Sequence, residues 1–174
     1  VSKIDYDLKL IRGIAFDVDG VLSPSCIPLG SDGMPQRMVN IKDGYALQLA
    51  VKCGYHIAII TGGNSPAVYE RFSALGIKDI YMKAGVKINV LHEWMANRGL
   101  KAEEVAYAGD DVPDYEVMKH VGLPVAPRDA AHEIKDIAKY VSPCDGGYGV
   151  GRDLLEEIMR AQGNWMKDAK AFGW

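Results

Sequence analysis

The chain has 174 residues and a mass of 19.0 kDa, with 48% hydrophobic and 25% charged side chains, the size and balance of one ordinary globular domain. Lys and Arg total 20 against 23 Asp and Glu, a net charge of −3, and no basic run exists to neutralise a nucleic-acid backbone. The longest apolar stretches, such as residues 57–60, fall far short of a membrane span, so no nucleic-acid or membrane partner is expected. Residues 1–7 carry charges where a signal peptide needs an apolar core. Cys26, Cys53 and Cys144 are too few and too scattered for a disulfide framework or a zinc site. The expectation is one cytoplasmic domain over residues 1–174.

In chain order, residues 10–16, 55–60, 78–82, 104–108 and 121–126 read as short β-branched or apolar strands. Residues 45–52, 66–75, 86–98, 113–120 and 130–138 read as the helices between them. Gly54, Gly76 and Gly99 follow three of these helices where a terminating glycine belongs, and Pro66 and Pro113 sit at helix starts. The alternation predicts βαβ crossovers: a Rossmann-like, doubly wound parallel sheet in a three-layer α/β/α domain. Residues 22–39, punctuated by Pro24, Pro28, Gly30, Gly33 and Pro35, read as a β-hairpin flap around the 30–33 turn. A glycine-rich stretch at 142–151 precedes a last helix at 152–162, and the tail 163–174 shows no evident core face.

Ligands of open α/β sheets bind beyond the carboxyl ends of the strands. The first strand ends there in Asp17-Val18-Asp19-Gly20, the second in Thr61-Gly62-Gly63, and the fourth in Gly109-Asp110-Asp111-Val112-Pro113-Asp114. A single Asp at a strand end is readily a helix cap or turn residue, but caps need not come as Asp-x-Asp or Gly-Asp-Asp-x-x-Asp. Converging carboxylates repel unless a cation or proton compensates, and a hard, oxygen-loving ion such as Mg²⁺ suits the set.

Asp17-Val18-Asp19-Gly20-Val21, Thr61, Lys87 and Gly109-Asp110-Asp111-x-x-Asp114 resemble the four ordered motifs of the haloacid dehalogenase superfamily of phosphotransferases. The resemblance implies Asp17 as the nucleophile that becomes an aspartyl phosphate and Asp19 as the general acid/base. It further implies metal ligation by Asp17, the Asp19 carbonyl and Asp110, with Asp111 or Asp114 holding metal waters or orienting Lys87. Thr61, with its own and neighbouring N–H groups, would donate to the transferring phosphoryl oxygens. Lys87 falls at a helix start, where the macrodipole disfavours a cation, so a solvated surface lysine is the alternative reading.

Neither the interval from Asp19 to Thr61 nor that from Thr61 to Lys87 holds a cap domain, so the chain reads as a capless member. Over nearly its whole length it resembles the capless phosphatases acting on 3-deoxy-D-manno-octulosonate 8-phosphate, of lipopolysaccharide biosynthesis. That likeness implies a homotetramer whose flaps associate centrally and whose tails reach a neighbour's site. It also implies a substrate site along Asn40, Ile41, Lys42, Asp43 and Gly44, with Gly62 and Gly63, and anion contacts from Arg71 and Arg152. For the two arginines, an exposed helix residue (Arg71) and a helix N-terminal residue (Arg152) are the alternatives. Gly63 stands where many of these phosphatases carry an arginine, so a substrate-side contact is missing or supplied from elsewhere. A nine-carbon sugar acid 9-phosphate is the alternative substrate. A non-catalytic assembly domain fused to a sugar-acid cytidylyltransferase, or a response-regulator-like switch, are alternatives of another class.

Overall fold

The computed structural model describes residues 2–174. Its sheet comprises β1 Gly13–Phe16, β2 His56–Ile60, β3 Asp79–Tyr81, β4 Val105–Ala108, β5 Leu123–Ala126 and β6 Tyr140–Val141. All five pairings are parallel and the order is β3-β2-β1-β4-β5-β6. The winding reverses between β1 and β4, which makes their carboxyl ends the expected ligand crevice.

Strand residues alternate between two cores, as the period of two requires. Ile14, Phe16, Ile57, Ile59, Ala106 and Ala108 face one side, where α1 Ile41–Lys52, α2 Pro66–Ala74 and α6 Val150–Ala161 pack through Leu47, Phe72 and Leu154. Ala15, Ala58, Ile60, Val105 and Tyr107 face the other, under α3 Lys87–Arg98, α4 Tyr115–His120 and α5 His132–Ile137, which contribute Trp94, Met118 and Ile134. The architecture is the three-layer α/β/α sandwich read from the alternation.

Most element ends shift by one to three residues, and three features depart further from the sequence expectation. α1 starts at Ile41 rather than 45, because the Asn40 side chain accepts from Lys42 N–H at 2.9 Å and Asp43 N–H at 3.0 Å and caps a turn containing Gly44. β6 is only two residues long, too short for a periodic signal. The tail, expected to lack a core face, has one. Trp165 packs against the first core, Ala171 is buried, and the Tyr45 hydroxyl donates to the Ala171 carbonyl. Trp165 and Trp174 meet Tyr45 edge-on at 6.0 and 5.9 Å, so the tail lies along α1 of its own chain. The flap is a minimal hairpin: one antiparallel bridge, Leu29 to Pro35, closed by Gly33 N–H to the Gly30 carbonyl at 2.9 Å.

Candidate active site

Just past β1 the chain turns back on itself, with the N–H groups of Val21, Leu22 and Ser23 all donating to the Val18 carbonyl. The turn holds Asp17 at the sheet edge, where its Oδ1 accepts from Val18 N–H at 2.7 Å. Gly20 has φ of 83°, and a Cβ there would lie 1.8 Å from Asp110 Oδ2. Only glycine supplies this backbone and lets the second carboxylate approach.

Past β4, Asp111 caps the turn Val112–Asp114 through Val112 N–H at 2.8 Å, with Pro113 inside it. The turn folds Asp114 back beneath the rim, fully buried. Asp114 Oδ1 accepts from the Tyr107 hydroxyl at 2.7 Å and from Lys87 Nζ at 2.9 Å, and Oδ2 accepts from Asp110 N–H at 3.0 Å. The other contact of Lys87 Nζ is Asp17 Oδ2 at 2.8 Å. Lys87 is the first residue of α3, and two carboxylates offset the dipole that disfavours it there. Burial alone would lower its pKa, but Asp17 and Asp114 raise it above the usual value, so it stays an ammonium. A solvated lysine it is not.

The turn after β2 brings Thr61, also buried, beside this group. Its N–H donates to the Tyr81 carbonyl at 3.0 Å and its hydroxyl accepts from Gly63 N–H at 3.1 Å. The Thr61 amide is thus spent on the sheet, and the hydroxyl and the Gly62 amide remain the donors at the pocket. The pocket is about 500 Å³, lined by Asp17, Asp19, Thr61, Gly62, Gly63, Lys87, Asp110, Asp111 and Asp114 together with Arg37.

Five of those residues are carboxylates and two are cations. Burial, then the charge of Asp114, push Asp17 well above the usual carboxylate range. Burial, then Asp114 and Asp111, push Asp110 up to about 7. Both shifts record carboxylates taken out of water first and crowded by other carboxylates second. Oxygens of Asp17, Asp110 and Asp114 lie within 4.8 Å of one another. Asp114 is already committed to Lys87, Tyr107 and Asp110 N–H, whereas the Asp110 carboxylate takes a backbone contact only from its own amide. This donor set, all hard oxygens with an excess of charge, fits a divalent cation held chiefly by Asp17 and Asp110.

The other expected residues lie around this pocket rather than in it. Asn40, Asp43 and Gly44 form the cap and first turn of α1 beside Arg71, at a small separate cavity. Asp43 is buried, and its Oδ1 accepts from Arg152 N–H at 2.8 Å, tying α1 to the start of α6. Desolvation raises its pKa to about 6, against the lowering effect of the Arg152 and Gly151 amides. Ile41 and Lys42 are exposed. Arg71 lies against Gly44 and lines a second pocket of about 560 Å³ between the flap and α2. The Arg152 guanidinium instead pairs with Glu156 at 3.0 Å and stacks 4.8 Å from the Trp165 ring.

Two residues at the site escaped sequence reasoning. Tyr107 sits in the middle of an apolar strand and reads as core. Arg37 sits in the flap, yet its Nε and a terminal nitrogen donate to the two Asp19 carboxylate oxygens at 2.9 and 3.0 Å. No local signal marks either one.

A parallel sheet that gathers Asp-x-Asp, a threonine, a buried lysine and a second acidic turn at its switch point defines a phosphotransfer-type α/β scaffold. A family model described as haloacid dehalogenase-like hydrolase matches residues 71–154. The chain is 37% identical over 152 residues to the 3-deoxy-D-manno-octulosonate 8-phosphate phosphatase KdsC of Yersinia pestis, covering 87% of this chain and 81% of that one. The crystal structure of a Yersinia pestis phosphatase of that name superposes with a TM-score of 0.87 at 35% identity, over 91% of this chain and 85% of the other. A Moraxella catarrhalis phosphatase, solved in complex with magnesium, phosphate and KDO, gives 0.86 at 32% identity, over 91% of both chains. The chain belongs to the haloacid dehalogenase-like hydrolases, in the family of these KdsC phosphatases.

Proposed function

We propose that this chain is a single-domain, Mg²⁺-dependent phosphatase that releases phosphate from 3-deoxy-D-manno-octulosonate 8-phosphate, serving lipopolysaccharide biosynthesis in the cytoplasm. The observation that carries the reading is Lys87, buried and shared at 2.8 and 2.9 Å between Asp17 and Asp114 beneath an open carboxylate rim. The similarity to KdsC over most of the chain supports the substrate.

In this reading an Asp17 carboxylate oxygen attacks phosphorus, the ester P–O bond breaks, and the departing sugar oxygen takes a proton from Asp19. Water then attacks the phosphorus, giving its proton to Asp19, and the bond to Asp17 breaks to free phosphate. Lys87 and the Thr61 hydroxyl place positive charge and a donor where the equatorial oxygens gather charge. Asp114 holds Lys87, Tyr107 holds Asp114, and Asp111 borders the opening. Mg²⁺ held by Asp17, Asp110 and the Asp19 carbonyl would screen the carboxylates and polarise the phosphoryl group.

The exposed apolar side chains of the flap and the start of α1, Leu29, Met34, Met38, Val39 and Ile41, support a homotetramer in which flaps meet. Asn40 to Gly44, Gly62, Gly63, Arg71 and Arg152 are proposed to recognise the sugar acid. The test is phosphate release from a panel containing the eight- and nine-carbon keto-sugar acid phosphates and a hexose phosphate. Preference for the eight-carbon acid is expected. Equal turnover of the hexose phosphate would overturn the substrate, and no release from any ester would overturn the activity.

A further inference from the structure

We propose that Arg37 is a positioning residue for Asp19, and that position 63 is glycine because it seats the Arg37 guanidinium. The proposal rests on Asp19 acting as the acid/base, and concerns what fixes its orientation.

Asp17 is locked by Val18 N–H and by Lys87. Asp19 has no such frame. Its side chain is 44% exposed, and Arg37 is its one side-chain partner among the described residues. Free rotation would leave the acid pointing at random, whereas a misplacement of about 1 Å costs roughly 10²-fold in rate. The bidentate pair fixes both oxygens at once, which one ammonium point charge does not.

Arg37 belongs to an exposed segment, flanked by the half-exposed Met38 and Val39, yet its own side chain is only 11% exposed. It dips inward because the next residue is anchored, Met38 N–H donating to Ser23 Oγ at 3.0 Å. A Cβ on Gly63 would lie 2.6 Å from the Arg37 terminal nitrogen and 3.3 Å from Cζ. Gly63 is not among the glycines with positive φ, so its backbone admits any residue. Space, not conformation, favours glycine there: a methyl would push the tip of the Arg37 side chain out of the position it holds against Asp19. Arg37 also lines both the acidic pocket and the 560 Å³ pocket beside it. The flap is therefore joined to the catalytic carboxylate by one side chain, and flap position sets Asp19 orientation.

The experiment compares kcat/KM for phenyl phosphate and p-nitrophenyl phosphate, with Mg²⁺, across wild type, Arg37→Ala, Arg37→Lys, Gly63→Ala and the Arg37→Ala/Gly63→Ala double variant. Neither ester carries a sugar, and kcat/KM covers the steps through leaving-group departure. Phenolate needs the proton that the more acidic p-nitrophenol does not. Arg37→Ala should lose about 10–100-fold on phenyl phosphate and clearly less on the nitro ester, mostly in kcat. Arg37→Lys should recover part of it. Gly63→Ala should lose in the same pattern, and the double variant should be no worse than Arg37→Ala alone. Equal losses on the two esters, or losses that multiply in the double variant, would overturn the positioning role. A wild-type chain that releases phosphate neither from these esters nor from 3-deoxy-D-manno-octulosonate 8-phosphate would instead overturn the phosphatase reading itself.

Discussion

Asp114 meets Lys87 at 2.9 Å across a sequence separation of 27 residues, and that contact is what turns a surface-type residue into a buried cation at the nucleophile. Tyr107 completes the chain of contacts from inside the sheet. Removing Asp114 leaves Lys87 one partner and frees the Asp110 amide. Asp114→Ala should therefore cost most of the activity and, by breaking a buried charge pair, about 3–5 kcal/mol of stability. Tyr107→Phe removes one hydrogen bond to a charged acceptor, about 1.5–3 kcal/mol, and should reduce rather than abolish turnover. Thermal unfolding and phosphate release on the two variants check the order. If Tyr107→Phe proves as damaging as Asp114→Ala, the tyrosine has a more direct part.

Asp17→Asn should abolish turnover and lower the melting temperature less than Asp114→Ala does. The replacement keeps the shape and the Val18 N–H acceptor, and the lost ion pair with Lys87 is offset by relief of the burial and Asp114 repulsion that push the Asp17 pKa up. Asp19→Asn should lose about 10²–10⁴-fold, the scale of general acid/base catalysis. Retained activity in Asp17→Asn would rule out the aspartyl-phosphate route.

Metal removal follows from the excess of carboxylates. Chelation should eliminate phosphate release, and Mg²⁺ should restore it. Ca²⁺ should bind without supporting comparable turnover, because its longer and looser coordination would misplace Asp17 relative to phosphorus. Calorimetric binding of both ions in Asp110→Asn should be weakened, which separates affinity from catalysis. Full activity after exhaustive chelation contradicts the cation reading.

Much of this was legible in the sequence, and the reasons are local. Strand period, glycine stops and proline starts are short-range signals, so five of the six strands were placed, with shifted ends. Asp-x-Asp-Gly and Gly-Asp-Asp-x-x-Asp read clearly because each is one turn with its own geometry. The start of α1 was missed because Ile41 and Gly44 look unlike a helix until Asn40 is recognised as its cap. The Arg37–Asp19 and Tyr107–Asp114 pairs stayed hidden because tertiary packing, not spacing, brings a flap arginine and a strand tyrosine to carboxylates. The tail's core face stayed hidden for the same reason: its partner is Tyr45, far away in sequence.

Asp43 gives a pH signature independent of the metal. Its pKa rises from 3.8 to about 6 on folding, through desolvation. The folded chain then binds more protons than the unfolded one between those values, so this group's contribution to stability is greatest below about pH 4 and falls as pH rises toward 6. Above that it is a constant cost of up to about 3 kcal/mol. Asp43→Asn, which keeps an oxygen for the Arg152 amide, should match wild type near pH 4 and exceed it at pH 7.5. Denaturant midpoints across that range, with Mg²⁺ present, measure the gap. A variant less stable at every pH would mean that the anion at the α6 N-terminus outweighs its desolvation.

The two arginines expected to read the substrate occupy different surroundings, and that separates their effects. Arg71 lines the pocket beside the acidic one, and its buried Nε has no partner, so no protein carboxylate holds that edge of the guanidinium. Arg152 is occupied by Glu156 and by the Tyr45 and Trp165 rings. A 2-keto-3-deoxy sugar acid carries its carboxylate at the end remote from the phosphate, and Arg37 lines both the acidic pocket and the pocket that Arg71 borders. Arg71→Ala should therefore narrow the preference for 3-deoxy-D-manno-octulosonate 8-phosphate over a hexose phosphate, and leave hydrolysis of p-nitrophenyl phosphate nearly unchanged. Arg152→Ala should show mainly in stability, by loosening the tail from α1, with a smaller change in preference. Ratios of kcat/KM for the two sugar phosphates decide it. A larger loss of preference in Arg152→Ala than in Arg71→Ala would move the sugar acid to the tail side of α1.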